Sequence, residues 1–471
     1  MKFYDSLKRQ ITDFTPLKPP QVKLYTCGPT VYDYAHIGNL RTFVFYDTLK
    51  RALTAASYKV NHVMNITDVG HLTSDADEGE DKLEKGAKKQ GKSVWDIANF
   101  YIDAFKRNSD QLNLLQPQYA RATDFIKPQL AVIKILIDKG FAYQTEQAIY
   151  FDVTKLDNYG ELTGQRLSDK EIAVRPEVVQ DKNKHHPYDF AIWFFTLGHF
   201  ADHSMHWSSP WGEGFPGWHL ECSAIIHKTL GDPIDIHAAG VDLIGTHNTN
   251  EAAQTEAAFG HKIANYWLHS EHLLVDGQKM SKSLGNFYTL DDILERGYDP
   301  IALRLLFLQA HYRSQMNFTW EALDSAQNWL HNLRAWADLK YQGTTDLVSE
   351  ELDQKFNETR KRMLAALQND LNTADALSIL SDLVNYMSSI PVPNLEGKYT
   401  EDILPFIDSL LGLELNTRED INPEQKQLIA KREEARNKKQ WQKADEFRQK
   451  LSEQGIEIND SKAGPVWSRV R

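Results

Sequence analysis

The stretch Val22–Leu53, VKLYTCGPTVYDYAHIGNLRTFVFYDTLKRAL, decides the fold of this chain of 471 residues. Its first residues, Val22 to Thr26, form an apolar run typical of a buried strand, and Leu40 to Leu53 carry a helical pattern. His36-Ile37-Gly38-Asn39 opens that helix. A helix N-terminus presents free N–H groups and the positive end of a dipole, and Gly38 lets the backbone approach a ligand closely. The stretch therefore predicts a phosphate site where a strand leads into a helix.

A second motif, Lys279-Met280-Ser281-Lys282-Ser283, occurs much later and precedes Leu284-Gly285-Asn286. Its two lysines are predicted to lie in a loop, where mobile ammonium groups can neutralise the charge that builds on a departing pyrophosphate. Each motif alone is a weak signal. The pair, in this order and with the first after a strand, resembles the signature of class I aminoacyl-tRNA synthetases. The resemblance implies an ATP site in which a carboxylate attacks the α-phosphate.

The chain has only two cysteines, Cys27 and Cys222, which excludes a secreted disulfide scaffold. Cys27 follows the first predicted strand. Downstream, His247 and Glu251 are four residues apart, a spacing that puts both on one face of a helix. Thiolates, imidazoles and carboxylates are all zinc donors. The alternatives are that each cysteine is a small buried hydrophobe and that the His/Glu pair lies on a helix surface; together with the two motifs, the pattern favours a zinc site.

Longer stretches are similar to the cysteinyl-tRNA synthetase family, and they cover nearly the whole chain. They are Tyr25–Asp33, Asn65–Asp68, Ser209–Cys222, Asp235–His237, Asp242-Leu243, the lysine loop, His311–Gln315, Asp370–Thr373 and the tail from Lys431 to Trp467. The resemblance implies that Cys27, Cys222, His247 and Glu251 bind one zinc ion, and that the zinc binds the thiolate of the substrate cysteine. It also implies Mg²⁺ with ATP, and tRNA-Cys, ATP and L-cysteine as partners.

The resemblance assigns the remaining site residues one by one. The predicted catalytic residues are His36, Asn39, Lys279 and Lys282. The same four residues and Gly38 are predicted to bind ATP. The predicted cysteine-binding residues are Gly28, Thr67, Trp218, His237 and Asp242. Asp242 is the better candidate for the substrate ammonium. The alternatives are core packing for Trp218 and a satisfied strand-end histidine for His237.

Zinc would also explain the specificity of such an enzyme. A hydrophobic pocket separates near-isosteres such as cysteine and serine by a factor of only ~10². Zinc lowers the pKa of a thiol and prefers the soft thiolate, whereas the hydroxyl of serine stays protonated. We therefore expect no editing domain, and no segment of the sequence is predicted to be one.

The chain departs from the family pattern at several positions. Asn39 replaces the final histidine of the first motif, Ala238-Ala239-Gly240 replaces a glycine run, and Asn248 follows His247 where the family has a second histidine. These changes leave an ATP contact and one histidine ligand possible. An acidic segment is predicted to be a solvated loop, with a cation or tRNA contact as the alternative; its residues are Asp75, Asp77, Glu78, Glu80 and Asp81.

The net charge of −12 requires that any surface for tRNA be local, because phosphate binding needs concentrated cations. The C-terminal tail is the candidate, with a solvated helix as the alternative. Its cations are Lys431, Arg432, Arg436, Lys438, Lys439, Lys443, Arg448, Lys450, Arg469 and Arg471. Trp441 and Trp467 are candidates for stacking on anticodon bases, although core packing is an equal alternative for Trp441.

The length predicts two to four domains, and the absence of a signal peptide or an apolar run of membrane length predicts a cytoplasmic protein without membrane contact. We expect a monomer. The expected fold is α/β, a Rossmann-type doubly wound parallel sheet with an inserted domain, followed by helical domains. The expected parts are the first half of the sheet at 1–115, the insertion at 116–215, the second half at 216–290, a helical domain at 291–415 and an anticodon-binding domain at 416–471.

Finer patterns predict particular elements of these parts. The second half should return with strands near Ile234 to His237 and Leu273 to Val275. The apolar residues from Leu364 to Val384 recur at three- and four-residue steps, which predicts an amphipathic helix that Pro391 and Pro393 end.

Three other functions compete. A ligase joining cysteine to an amino sugar would share the catalytic half but would not need the tail. A catalytically silent zinc-binding RNA protein would not need Lys279 and Lys282. A methionine-specific synthetase would not place both of its cysteines around the amino-acid pocket.

Overall fold

The computed structural model describes residues 1–70, 72–74, 78–164, 181–342, 350–389, 399–461 and 464–469. Asp75 and Asp77 of the acidic segment, Pro391 and Pro393, and Arg471 lie outside these residues. The chain forms two compact units. The first comprises residues 1–292 with 312–317, and the second comprises residues 293–311 with 318–471.

The described residues form strands and helices in alternation up to about residue 320 and mostly helices afterwards. The strands are β1 Lys2–Asp5, β2 Gln10–Asp13, β3 Gln21–Thr26, β4 Lys59–Ile66, β5 Leu72–Ser74, β6 Glu78–Asp81, β7 Gln118–Arg121, β8 Ala142–Gln144, β9 Ala148–Phe151, β10 Phe190–Phe195, β11 Trp207–Ser209, β12 Gly212–Pro216, β13 Ile234–Gly240, β14 Ala264–Ser270, β15 Leu273–Val275, β16 Gln278–Lys279, β17 Met316–Phe318, β18 Ile456–Ser461 and β19 Gly464–Arg469. The helices are α1 Ile37–Ala55, α2 Lys82–Gln90, α3 Val94–Gln111, α4 Ile126–Asp138, α5 Trp218–Thr229, α6 Thr249–Phe259, α7 Leu290–Glu295, α8 Pro300–Leu308, α9 Trp320–Ala337, α10 Glu350–Gln368, α11 Thr373–Ser389, α12 Leu404–Leu411, α13 Pro423–Asn437 and α14 Trp441–Glu453.

A five-stranded parallel sheet organises the first unit, with the strand order β14-β13-β3-β4-β7. The chain starts in the middle with β3, moves to one edge through β4 and β7, and returns on the other side with β13 and β14. In β3, Leu24 lies opposite Ile236 of β13 and His62 of β4. The predicted doubly wound α/β fold is therefore confirmed. Ligands of such sheets bind beyond the carboxyl ends of the strands where the winding direction changes, which here is between β3 and β13.

The second strand predicted for the returning half, Leu273–Val275, is confirmed as β15, but it does not join the parallel sheet. It belongs to a separate three-stranded sheet of order β16-β15-β17. The fifth strand of the parallel sheet is β14, Ala264–Ser270, which pairs in parallel with β13. Short apolar runs do not reveal which sheet they join, because that choice depends on distant partners.

The chain between β7 and α5 forms a second sheet, which is antiparallel and has the order β11-β12-β10-β9-β8. Aromatic rings fill its core: Phe151 stacks on Phe190 with 5.0 Å between ring centres, and Phe194 stacks on Phe215 at 5.2 Å. This sheet leads directly into α5, which carries Cys222. The division of the chain into five domains stays a prediction.

In the second unit, the single helix predicted from Leu364 to Val384 is wrong, because two helices share this pattern. Helix α10 ends at Gln368 and α11 begins at Thr373. Between them, Asp370 and Leu371 adopt positive φ angles of 58° and 55°, which break the helix. Periodicity continues across this turn because both helices bury one face.

The C-terminal residues fold as α13, α14 and a hairpin of β18 and β19. Trp467 on β19 is buried with Leu451 and Ile458. The prediction that its ring can stack on an anticodon base is therefore wrong. Trp441, at the start of α14, is 59% exposed. In the described part of the chain, no helix combines the length and the apolar character needed to cross a membrane.

The prediction that the acidic segment is a solvated loop is wrong for its last residue, Asp81. Asp81 closes β6, is buried, and accepts hydrogen bonds from the N–H groups of Leu83 and Glu84 at the start of α2. Its other carboxylate oxygen lies 3.1 Å from Nε2 of His203. Sequence alone did not separate this capping aspartate from its acidic neighbours.

Candidate metal centre and nucleotide site

Four predicted metal ligands converge at the carboxyl end of β3. The Sγ atoms of Cys27 and Cys222, a ring nitrogen of His247 and a carboxylate oxygen of Glu251 all lie within 4.8 Å of one another, and all four residues are buried. They come from segments far apart in the sequence. The structure thus forms a buried group of donors that can bind a metal ion.

The fold explains how each donor reaches this point. Cys27 follows the last residue of β3, and its N–H donates to the carbonyl of Ala238 on β13 at 3.1 Å. Cys222 lies on the buried face of α5. His247 lies in a π-helical turn, Ile244–Asn248, that continues into α6, and Glu251 is in the first turn of α6. A carboxylate there interacts favourably with the positive end of the helix dipole.

One of the three distances between donors matches tetrahedral zinc, one lies just above the expected range and one lies below it. Tetrahedral zinc with ligands at roughly 2.0–2.3 Å has ligand atoms about 3.3–3.8 Å apart. Cys222 Sγ lies 3.4 Å from Nε2 of His247, and Cys27 Sγ lies 3.9 Å from Oε1 of Glu251. Nε2 of His247 is closer to Oε1 of Glu251, at 2.8 Å. That shorter separation is a hydrogen-bonding distance.

The four donors perturb one another's pKa values strongly. Burial raises the pKa of Cys27 and, more strongly, that of Cys222. Burial acts in the same direction on Glu251, but His237 and His247 outweigh it and hold the pKa of this carboxyl well below its usual range. For His247, burial is outweighed by Glu251 and Cys222, and its pKa is raised. Two thiols and a carboxylate in a dry site become a favourable anionic set only when a positive ion compensates them.

Several buried polar groups surround the four donors, as is usual for metal ligands. Nε2 of His237 lies 2.7 Å from Oε2 of Glu251. Nδ1 of His219 lies 3.1 Å from Nδ1 of His247, and the half-buried ring of Trp218 stacks on that of His247 at 4.4 Å. His219 was missed, although it lies in the quoted stretch next to Trp218, because nothing in the pattern distinguishes it from a core histidine.

The predicted cysteine-binding residues occupy different environments. Asp242 is exposed on a short 3-10 turn after β13, and Trp218 is half-buried. His237 is wholly buried, and its observed partner is Glu251. Gly28 packs so tightly that an added Cβ would lie 1.7 Å from the carbonyl oxygen of Asn65. For all four, contact with cysteine stays a prediction.

The fifth, Thr67, leads to a residue that the sequence analysis missed. Its buried hydroxyl donates to Oε2 of Glu221 at 2.7 Å. Glu221 precedes Cys222 on α5 and is fully buried, which raises its pKa well above the usual value. Among the described residues, its Oε1 has no hydrogen-bond partner. The hydroxyl of Thr67 is therefore in direct contact with the buried carboxyl group of Glu221.

The first nucleotide motif, His36-Ile37-Gly38-Asn39, forms the start of α1. His36 is the N-cap of α1: its Nδ1 accepts from the N–H of Asn39 at 3.1 Å, and Oδ1 of Asn39 accepts from the N–H of His36 at 3.2 Å. Asparagine therefore keeps the helix cap intact where the family has a histidine. Burial lowers the pKa of His36 to about 4, so this ring is neutral at pH 7.

The lysine loop lies against this helix start. A Cβ on Gly38 would come within 2.5 Å of Cε of Met280, so the glycine allows the loop to approach. The ammonium of Lys282 pairs with Asp33 and lies 5.1 Å from the centre of the Phe287 ring. Lys279 is exposed on β16, and Asn286 closes the loop by accepting from the N–H of Ser281 at 2.8 Å. The two motifs thus form one surface close to the sheet's carboxyl edge.

Comparisons with known families agree with this geometry. The family described as tRNA synthetases class I (C) catalytic domain matches residues 13–328, and that described as cysteinyl-tRNA ligase anticodon binding domain matches residues 418–467. The chain is 45% identical over 470 residues to Cysteine--tRNA ligase 1 of Burkholderia lata, covering 98% of this chain and 96% of that one. It is 40% identical over 502 residues to Cysteine--tRNA ligase of Treponema denticola, covering 100% of both.

Solved structures share the fold at low identity. A methionyl-tRNA synthetase of Mycobacterium tuberculosis in complex with methionyl-adenylate aligns with a TM-score of 0.61 at 14% identity, over 84% of this chain and 92% of that one. A LeuRS of Agrobacterium radiobacter K84, in a ternary complex with tRNA, aligns with a TM-score of 0.61 at 12% identity, over 86% and 85%. With the two matched domains and the full-length relatives, these findings lead to one conclusion: the chain belongs to the cysteine--tRNA ligase family of class I tRNA synthetases.

Proposed function

We propose that this chain activates L-cysteine with ATP, releases pyrophosphate, and transfers cysteine from the adenylate to the terminal ribose of tRNA-Cys, with a zinc ion on Cys27, Cys222, His247 and Glu251. The observation that carries the proposal is the convergence of these four buried donors at the carboxyl end of β3. Membership of the family supports the overall reaction. The residue roles rest on the geometry of the site.

The donor set favours zinc over other ions. Two thiolates, one imidazole and one carboxylate are a typical zinc set, whereas Mg²⁺ and Ca²⁺ prefer oxygen. Zinc, when bound, supplies a Lewis acid that favours a substrate thiolate over a protonated hydroxyl. Such a site explains how cysteine is separated from serine beyond the ~10² that a pocket alone provides.

The ends of the substrate would meet the groups that flank this centre. Asp242 is exposed and negative, and therefore suits the ammonium of cysteine. Thr67 offers a hydroxyl backed by Glu221. The half-buried ring of Trp218, fixed by its stacking on His247, would close one side of the pocket. Together they would orient the substrate carboxylate toward ATP, and such positioning supplies much of the rate in reactions of this kind.

ATP would lie at the N-terminus of α1, where His36, Gly38 and Asn39 form the cap. His36 is neutral and can hydrogen-bond without repelling Mg²⁺ carried by the phosphates. Lys279 and Lys282 would neutralise the charge of the departing pyrophosphate. Lys282 pairs with Asp33 in the structure, so binding phosphate would require it to leave that carboxylate.

The tRNA would contact the C-terminal residues, and the structure narrows the predicted cations. Arg432 is buried, and both Arg432 and Arg436 pair with Asp460, so these two serve the fold. The exposed cations of α13 and α14 with their connecting turn remain; they are Lys431, Lys438, Lys439, Lys443, Arg448 and Lys450. Trp441 is exposed among them and offers a face on which an anticodon base can stack.

The match to an anticodon-binding domain favours tRNA over an amino sugar as the acceptor. The test is amino-acid-dependent exchange of pyrophosphate into ATP, with cysteine and serine compared, together with zinc content and charging of tRNA-Cys. We expect one zinc per chain, exchange with cysteine alone, and charged tRNA. Exchange with both amino acids, or a cysteine adduct of an amino sugar in place of charged tRNA, would contradict the proposal.

A further inference from the structure

Asn248 lies between the predicted ligands His247 and Glu251, at the position where the resembled family has a histidine. It is fully buried. Its side-chain nitrogen lies 3.1 Å from Oε1 of Glu251 and 3.7 Å from Sγ of Cys27. An amide nitrogen carries two N–H groups, so one amide can donate to both ligands.

A chain of contacts fixes which way this amide faces. Oδ1 of Asn248 lies 3.1 Å from Nε2 of His269, and Nδ1 of His269 lies 2.8 Å from Oγ of Ser6. Ser6 is held in turn, because its backbone N–H donates to the carbonyl of Trp267 on β14 at 2.8 Å. His269 is buried, and its burial lowers its pKa to about 3, so the ring is neutral and carries one N–H.

A thiolate and a carboxylate can only accept hydrogen bonds, so the NH₂ group of Asn248 faces the ligands and its Oδ1 faces His269. The single ring N–H of His269 is then on Nε2, and its Nδ1 accepts from the hydroxyl of Ser6. A flipped amide would place its oxygen against a thiolate and a carboxylate, where acceptor faces acceptor.

The donors matter because the ligand set carries excess negative charge. Two thiolates and one carboxylate with one zinc ion have a net charge of −1 in a buried site, and a substrate thiolate would make it −2. Hydrogen bonds from the neutral amide of Asn248 delocalise part of this negative charge onto a group outside the four ligands, and they add no cation to the site. They also fix the Glu251 carboxylate, which His237 holds from the other oxygen.

We propose that Asn248 is a positioning residue of the metal centre, which orients Cys27 and Glu251 for zinc by donating both amide N–H groups, with Ser6 and His269 fixing its direction. The inference rests on the proposed zinc site. It assigns a function to a residue that in this chain replaces the second histidine of the family pattern.

The test compares zinc affinity, measured by chelator competition, in the parent protein and in single variants. Outer-layer contacts of metal ligands are typically worth about ten- to hundredfold in metal affinity, so we expect Asn248→Ala to lose that much. Asn248→His restores one N–H donor and should lose less. The matched control is Asn250→Ala: Asn250 is buried on the same helix, but its Oδ1 accepts from the hydroxyl of Tyr159 at 2.7 Å. This control should bind zinc within about twofold of the parent.

A second readout is the thiolate-to-metal charge-transfer band of the cobalt-loaded proteins. Losing the N–H donor to Cys27 should displace this band in Asn248→Ala but not in Asn250→Ala, which separates positioning from general loss of packing. If Asn248→Ala does not fold, the zinc affinity of Asn248→His decides, because one donor cannot serve both Cys27 and Glu251 and the affinity should fall below that of the parent.

An unchanged band and an unchanged zinc affinity in the Asn248 variants would overturn the inference. A parent protein that binds no zinc would contradict the proposed function as well. A zinc-loaded parent with indifferent Asn248 variants would contradict this inference alone.

Discussion

Replacing Cys222 with serine should weaken cysteine binding and leave ATP binding nearly unchanged. Cys222 is fully buried on α5, with its Sγ 3.4 Å from Nε2 of His247. Serine keeps the size of the side chain but exchanges a thiolate donor for a hydroxyl that stays protonated. The substitution therefore changes the metal centre more than the packing.

The expected loss of cysteine affinity follows from the position of Cys222 as a predicted ligand of the metal ion. Contacts one layer outside a metal ligand are worth about ten- to hundredfold in metal affinity. Loss of the ligand itself should reach at least the upper figure, which is about 2.7 kcal/mol. Cysteine binding inherits that loss because the thiol of the substrate would bind the same ion. Among the described residues, the cap residues His36 and Gly38 share no hydrogen-bond partner with Cys222, so the ATP affinity should change by no more than about twofold.

The assay is pyrophosphate exchange, in which cysteine is varied at saturating ATP and ATP is varied at saturating cysteine. Ser223→Ala is the matched control. Ser223 is the next residue on α5, is 1% exposed, and donates to the backbone carbonyl of Glu251 at 3.2 Å. It should change neither KM by much. An equal loss for cysteine and ATP in Cys222→Ser would refute direct binding of the substrate sulfur at this centre.

Three further predictions concern other parts of the molecule. Lys282→Ala should slow pyrophosphate exchange by about 10²–10³-fold because it removes charge stabilisation of the leaving group, while zinc content stays normal; an unchanged exchange rate would discard the role assigned to Lys282. Trp441→Ala should weaken tRNA binding by about 1–3 kcal/mol, the typical value of one aromatic stack, and leave exchange without tRNA unaltered; a normal affinity for tRNA-Cys would show that Trp441 is not a stacking face. Burial lowers the pKa of His62 to about 3 from an ordinary value of 6.5. Below pH 6.5 the unfolded chain therefore binds a proton at His62 that the folded chain does not bind, and the free energy of unfolding decreases as the pH falls. His62→Gln should reduce the loss of unfolding free energy between pH 6.5 and pH 5 by about 1.6 kcal/mol in urea titrations, and an identical pH slope would contradict the assignment.

The parts of the fold that the sequence predicts well are those governed by local signals. The strand before Cys27 and the helix after His36 are visible because an apolar run is followed by a helical pattern, whereas the reciprocal cap between His36 and Asn39 at the start of α1 is seen only in the structure. The break between α10 and α11 is invisible to the same reasoning, since Asp370 and Leu371 reverse the backbone without glycine or proline.

The site shows the same limit. Cys27, Cys222, His247 and Glu251 stood out as possible zinc donors by residue type, and the family resemblance joined them into one site. The residues around them did not stand out, because Asn248, His219 and Glu221 acquire their roles only from partners brought together by the fold. The sequence analysis gave core packing as an alternative for Trp441 and not for Trp467, and the structure reverses this, because Trp441 is exposed and Trp467 is buried.

X-ray absorption of the zinc-loaded protein, with and without L-cysteine, tests the central claim most directly. The account predicts two sulfur atoms on zinc in the free protein, from Cys27 and Cys222, and three after cysteine is added, with no change after serine. A count that stays at two in the presence of saturating cysteine would contradict it.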